Sequence, residues 1–135
     1  MNKFIKITFI VFISTLALSL VKANAANTWI FAGVTITGRN TTYRSSIRQK
    51  NGTGNQKFVL STCNDTLFWL NRNLKVQVEN TDTSATSAIK EVSPGSSKIY
   101  DEAGLRSFSK YRLRMKIANP LVNEVYFNAT WYLDL

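Results

Sequence analysis

Alternating apolar and polar residues decide the fold. The pattern is clearest near the C-terminus, where residues 110–117 read KYRLRMKI and residues 124–134 read EVYFNATWYLD. The first run places four apolar residues on one face and four cations on the other: Tyr111, Leu113, Met115 and Ile117 against Lys110, Arg112, Arg114 and Lys116. Alternation with a period of two is typical of strands that bury one face. Because the short link between the runs contains Asn119 and Pro120, we predict a β-hairpin.

Shorter stretches of the same kind lie upstream. They predict strands over residues 28–37, 42–50, 56–62, 74–79, 88–92 and 98–100, separated by turn sequences such as NGTGN at 51–55. Residues 66–70 are apolar, which predicts a further strand or a short turn packed on the core. About seven short strands at roughly ten-residue spacing predict an all-β fold, either a small antiparallel β-sandwich or a partly open barrel. We expect a single domain over residues 26–135.

The first 25 residues have the pattern of a cleavable signal peptide. Lys3 and Lys6 precede an apolar run over residues 7–21, and Ala23-Asn24-Ala25 ends it with small residues at the cleavage positions. The run is short for the roughly 20 residues that span a bilayer. We therefore expect cleavage near Ala25 and a mature chain that has no transmembrane span and is secreted or associated with the cell envelope.

The composition is basic, with 17 lysines and arginines against 8 carboxylates and a net charge of +9. Removing Lys3, Lys6 and Lys22 with the signal peptide leaves 14 cations against the same 8 carboxylates, a net charge of +6. Such a surface favours anionic partners: lipid head groups, phosphate-rich cell-wall polymers, nucleic acid or an acidic protein. Among these we predict an anionic cell-envelope polymer or lipid surface, or a protein partner, rather than nucleic acid. The alternative is that the charge only keeps an exported protein soluble.

The four cations of the penultimate strand are the candidate binding site. Lys110, Arg112, Arg114 and Lys116 recur at every second position, a spacing that matches the repeating charges of a polyanion. Alternatively, carboxylates on the next strand solvate an ordinary exposed face; these are Glu124 and Asp134. Four upstream cations extend the patch if their strand lies nearby: Arg39, Arg44, Arg48 and Lys50.

Residues suited to catalysis are scarce. The chain has no histidine, the commonest general base and metal ligand. Its one cysteine, Cys63, rules out an internal disulfide and is expected to be a small buried hydrophobe; if exposed, it would pair between chains. No carboxylates follow a calcium-loop pattern, and no cluster has zinc spacing. We predict neither an enzyme nor a cofactor or metal site; the alternative is a small hydrolase whose carboxylates meet only in the fold.

Most aromatic residues fall at positions that predict burial. These are Trp29, Phe31, Phe58, Phe68, Trp69, Phe127 and Trp131. Tyr126 and Tyr132 fall on the polar face of the last strand, where amphipathic residues cover the side of a sheet.

From Tyr111-Arg112-Leu113 to Trp131-Tyr132-Leu133-Asp134 the sequence resembles a group of short secreted β-proteins of Gram-positive bacteria, some of them bacteriocin-like. It departs from that group in its denser row of cations and in carrying Cys63. The resemblance implies export and β structure, and brings no catalytic residue with it. The leading hypothesis is a secreted, non-enzymatic β-sandwich that binds an anionic cell-envelope surface. The alternative is a structural protein that self-associates or pairs with a partner through an edge strand.

Overall fold

The computed structural model describes residues 27–135, so the predicted signal peptide lies outside the described residues. The described chain forms nine strands in the order β1 (Thr28–Thr37), β2 (Tyr43–Arg44), β3 (Arg48–Gln49), β4 (Gln56–Asp65), β5 (Leu74–Asn80), β6 (Lys90–Val92), β7 (Ser96–Tyr100), β8 (Lys110–Ile117) and β9 (Glu124–Tyr132). One short 3-10 turn, Ala103–Leu105, precedes β8. Between residues 27 and 135 there is no helix with the length and hydrophobicity needed to cross a membrane.

The strands form two antiparallel sheets, which confirms the predicted all-β sandwich. Sheet A has the order β1-β9-β4-β7, and sheet B has the order β2-β8-β5-β6, with β3 also paired to β8. The nine strands exceed the predicted number of about seven partly because residues 42–50 form two short strands. Between these two strands, the Ser45 hydroxyl accepts a hydrogen bond from the Leu113 backbone N–H at 2.8 Å.

The core lies between the sheets and is built from the alternate residues of each strand. Trp131, Phe58 and Leu113 are fully buried. The Tyr100 hydroxyl donates to the Val76 carbonyl at 2.8 Å and so ties sheet A to sheet B. Cys63 is also fully buried, as expected of a small hydrophobe, and burial raises its thiol pKa to about 12.

The predicted hairpin between the last two strands is wrong. β8 belongs to sheet B and pairs with β5, whereas β9 lies in sheet A between β1 and β4. Residues 118–123 carry the chain across the sandwich, with the Val122 N–H bonded to the Asn119 carbonyl. Alternation predicts which face of a strand is buried but not which strand pairs with it. β9 pairs on both sides with ten-residue strands, β1 and β4. Glu124 and Asp134 therefore do not lie beside the cations of β8.

The prediction that these tryptophans and phenylalanines are mostly buried fails at one place. Residues 66–70 form a turn that points outward, so Phe68 and Trp69 are exposed. The carboxylate of the neighbouring Asp65 accepts a hydrogen bond from the Phe68 backbone N–H within this turn. Trp29 is half-buried, while the remaining members of that set lie in the core.

Candidate functional site

The outer surface of sheet B carries most of the cations of the predicted row. In the strand register, Arg114 lies opposite both Arg44 on β2 and Gln77 on β5, and Lys116 lies opposite Lys75 on β5. Directly opposed residues in an antiparallel sheet point to the same face. We call the outward side chains of β2, β8 and β5 the cationic face; its cations are Arg44, Lys75, Lys110, Arg112, Arg114 and Lys116.

A cleft of about 520 Å³ opens on this face. Its lining residues are Thr42, Lys75, Gln77, Ile89, Arg114, Met115 and Lys116. Ile89 comes from the connection between β5 and β6, and Thr42 from the residue just before β2. The lining contains three cations and no carboxylate. Its volume falls in the range of small-ligand sites, and its three cations give the lining a positive potential.

Arg112 is separated from the other cations by an ion pair. Its Nε lies 2.6 Å from Oε2 of Glu79, the residue opposite it on β5. The hydrogen bond from Arg112, together with the charges of Arg112, Arg114 and Arg44, holds the pKa of Glu79 below its usual range. The same pairing raises the pKa of Arg112. Arg112 is thus largely neutralised, and the carboxylate that offsets it comes from β5, not from β9.

Arg114 has a different environment. Across residues 27–135, none of Arg114, Lys116 and Lys75 forms an ion pair. The Arg114 Nε is buried from solvent and has no hydrogen-bond partner within that part of the chain. A buried donor without an acceptor is costly. Because this Nε is closed to solvent, an anion in the cleft would contact Arg114 through the terminal nitrogens of the guanidinium.

The structure therefore divides the predicted row. Arg114 and Lys116 line the cleft, Arg112 borders it in an ion pair, and Lys110 lies exposed at the start of β8 opposite Gln49. Lys75 belongs to the site and was not predicted. The sequence showed that Lys75 lies on the exposed face of the 74–79 run. It did not show that Lys116 lies beside Lys75, because that depends on the pairing of β5 with β8.

Of the four upstream cations, only Arg44 extends the face. Arg39 donates to the Asn123 side chain. The Arg48 guanidinium stacks over the Trp29 ring at 3.1 Å from its centroid. Lys50 is fully buried, with Nζ 2.6 Å from the Leu133 carbonyl and 2.8 Å from Asp134 Oδ1.

A second exposed feature lies at one end of the sandwich. Four consecutive side chains of the β4–β5 turn and one from the β8–β9 link face solvent, with exposed fractions of 77% for Leu67, 69% for Phe68, 62% for Trp69, 55% for Leu70 and 79% for Leu121. We call these five residues the apolar turn. A cleft of about 260 Å³ separates its two loops, with Leu67, Phe68 and Leu121 among the lining residues.

Asp65 organises the apolar turn from within. Its Oδ1 accepts the Phe68 N–H, and its Oδ2 lies 2.9 Å from Nε of Arg72. The hydrogen bond from the Phe68 backbone, followed by that from Arg72, lowers the Asp65 pKa against the opposing effect of burial. The turn is thus held by one ionised carboxylate.

No protein-family profile and no curated protein sequence matches the chain. Its fold is similar to that of the Yersinia pseudotuberculosis-derived mitogen, at 15% identity over 77% of this chain and 85% of the mitogen, with a TM-score of 0.41. It is similar to the carbohydrate-binding module CBM29-2, at 13% identity over 78% of this chain and 79% of the module, with a TM-score of 0.40. It is also similar to the xylan-binding module CBM15, at 8% identity over 75% of this chain and 97% of the module, with a TM-score of 0.40. At these identities the likeness concerns the β-sandwich fold alone.

Proposed function

We propose that the chain is a secreted, non-enzymatic β-sandwich protein that binds an anionic cell-envelope surface through its cationic face. The observation that carries this proposal is the cleft in which Lys75, Arg114 and Lys116 meet without a carboxylate. Three close like charges repel one another, and an anionic ligand would offset that cost. A bacteriocin-like role, in which the protein binds the envelope of another cell, is compatible with the same surface.

The chemistry of the lining suits a phosphate or carboxylate group. The planar guanidinium of Arg114 can bind such a group with two parallel hydrogen bonds, and Lys75 and Lys116 add compact point charges. Gln77 adds an uncharged amide to the lining, and its Nε2 already donates to the Ser87 carbonyl at 2.9 Å. Charges repeated along a polymer, or crowded as head groups in a lipid surface, would occupy the cleft and the neighbouring Arg44 together.

The non-enzymatic part of the proposal rests on the residues available for proton transfer. The sequence contains no histidine, and the thiol of Cys63 is fully buried with its pKa raised to about 12. The carboxylate beside the cleft, Glu79, is held ionised by Arg112. An ionised, ion-paired carboxylate is a poor general acid at neutral pH.

The second candidate is association through an edge strand, and β1 is the observation that favours it. β1 is ten residues long, borders sheet A and exposes Ile30. A bulge between Phe31 and Val34 interrupts it, a device that discourages edge pairing. Self-association through β1 would depend on protein concentration and hardly on salt.

Co-sedimentation of the exported protein with bacterial cell envelopes across a salt series tests the proposal. We expect strong binding at low ionic strength that falls steeply as salt rises, because exposed charges are screened. Absence of binding at low salt would contradict it. Sedimentation velocity over a range of protein concentrations, run in the same buffers, tests the β1 alternative.

A further inference from the structure

The apolar turn is an exposed feature that the proposed function does not use. Its five side chains belong to two loops that meet where β4 ends and β9 begins, with Asp65 opposite Val125 in the register. The Thr66 N–H donates to the Glu124 carbonyl and so joins the two loops. Contiguous exposed apolar patches on small soluble proteins mark binding sites for proteins, ligands or membranes.

Several backbone groups of this turn are satisfied from inside. Trp69 N–H donates to the Asp65 carbonyl at 3.1 Å, and Asp65 N–H donates to the Leu70 carbonyl at 3.0 Å. The Asn64 side-chain amide donates to the Trp69 carbonyl at 3.1 Å, and the Phe68 N–H is taken by the Asp65 carboxylate. A segment with these peptide groups paired inward and apolar side chains pointing outward can enter an apolar phase without exposing them.

Trp69 is held in an unusual conformation. Its φ of 56° lies in the left-handed region, which costs a non-glycine residue about 1 kcal/mol or more. The ring packs edge-on against Tyr126, with centroids 6.4 Å apart and planes at 69°. Tryptophan and tyrosine are the side chains enriched at the boundary between bilayer and water.

The surroundings favour a lipid bilayer over a protein partner. Lys75 and Lys116 lie at the same end of sheet B as the apolar turn, since Leu74 pairs with Ile117 immediately beside them. Apolar side chains next to cations complement an anionic bilayer, in which acyl chains lie beneath charged head groups. Five side chains also fall far short of the roughly 20 residues that each partner contributes to a standard protein interface.

We propose that the apolar turn inserts into the interfacial layer of an anionic lipid bilayer while the cationic face contacts the head groups. The contact of the cationic face with the head groups rests on the proposed function. Insertion of the apolar turn adds that the anionic surface is a lipid bilayer. Insertion is driven by removal of apolar area from water, so a weaker, residual binding should remain at salt concentrations that have already screened the cationic face.

The test compares Leu67→Ser/Phe68→Ser with Ile47→Ser/Phe108→Ser, which removes two exposed apolar side chains elsewhere on the molecule. Binding is measured by co-sedimentation with vesicles of phosphatidylglycerol and phosphatidylcholine in equal amounts, and separately to soluble polyphosphate. We expect the apolar-turn variant to partition to vesicles at least 10-fold more weakly than the wild type, and to bind polyphosphate as the wild type does. The control variant should bind both vesicles and polyphosphate as the wild type does. All four side chains are exposed, so thermal unfolding should change little.

Trp69 provides a second readout. It is the exposed tryptophan, whereas Trp131 is buried and Trp29 lies under Arg48. Lipids brominated in the acyl chain should quench the wild-type fluorescence, and Trp69→Phe should abolish that quenching. Vesicle binding equal to wild type in the apolar-turn variant, or no quenching of Trp69, would overturn insertion while leaving the cationic face intact. Absence of binding to vesicles, envelopes and polyphosphate alike would overturn both proposals.

Discussion

Removing the three cations of the cleft should weaken binding to anionic surfaces far more than removing the same net charge elsewhere on the molecule. The variant Lys75→Gln/Arg114→Gln/Lys116→Gln keeps polar side chains on outward positions of β5 and β8, so the fold should be retained. Each lysine or arginine close to an anionic membrane contributes about 1 kcal/mol. Three of them amount to about 3 kcal/mol, or roughly a 100-fold loss of partitioning to the equimolar vesicles at low salt.

The matched control removes the same net charge elsewhere. Lys57→Gln/Lys98→Gln/Arg106→Gln changes cations on β4, on β7 and in the turn before β8. We expect its binding to stay within a few-fold of wild type, because charges farther than a Debye length of about 10 Å from the surface are largely screened. Equal weakening in both variants would refute the role of the cleft and reduce the effect to net charge.

Three further results are expected from the buried groups. Asp134→Asn leaves the fully buried Lys50 without its counter-charge, so the free energy of unfolding in urea should fall by roughly 3 kcal/mol. Lys50→Met removes the buried charge itself, so its free energy of unfolding should fall by less. Equal losses in the two variants would contradict this difference. The carboxyl pKa values of Asp65, Glu79 and Asp134 are lowered by their hydrogen bonds to Phe68 and Arg72, to Arg112 and to Lys50 respectively. Their contribution to stability is therefore complete above the ordinary carboxyl pKa near 4 and is lost as the pH falls through the lower folded values; a melting temperature independent of pH between about 5 and 2 would oppose this. Cys63 should react with a thiol reagent only after unfolding, and rapid labelling of the native protein would show that its burial is wrong.

The local pattern of the sequence predicts strands and faces well. The apolar residues of 110–117 are buried and the cations point outward, as alternation requires. The pairing of strands is a different matter, because a period of two records burial on one side and contains nothing about the neighbour along the hydrogen bonds. The predicted hairpin failed for that reason: its short link can either turn back within one sheet or cross the roughly 10 Å to the other.

The same distinction explains the candidate site. The cations of β8 could be placed on one face from the sequence, but Glu79 beside Arg112 and Lys75 beside Lys116 depend on the register of β5. The apolar turn was missed because hydrophobicity is ordinarily a signal of burial. Asp65 was the one residue in the sequence that could have indicated an outward turn, because an aspartate that precedes a short apolar stretch can cap a turn with its carboxylate.

Binding of an anion in the cleft at Arg114 can be observed in the side-chain N–H signals of the arginines. In a ¹⁵N-labelled protein titrated with short-chain polyphosphate, the Nε–H signal of Arg114 should shift strongly, because an anion on the terminal guanidinium nitrogens changes the surroundings of an N–H that has no other partner within residues 27–135. The Nε–H signal of Arg112 should move little, because Glu79 already accepts its hydrogen bond. An unchanged Arg114 signal at polyphosphate concentrations that saturate binding, with shifts confined to Arg106 or Arg39, would show that the anion does not bind in the cleft.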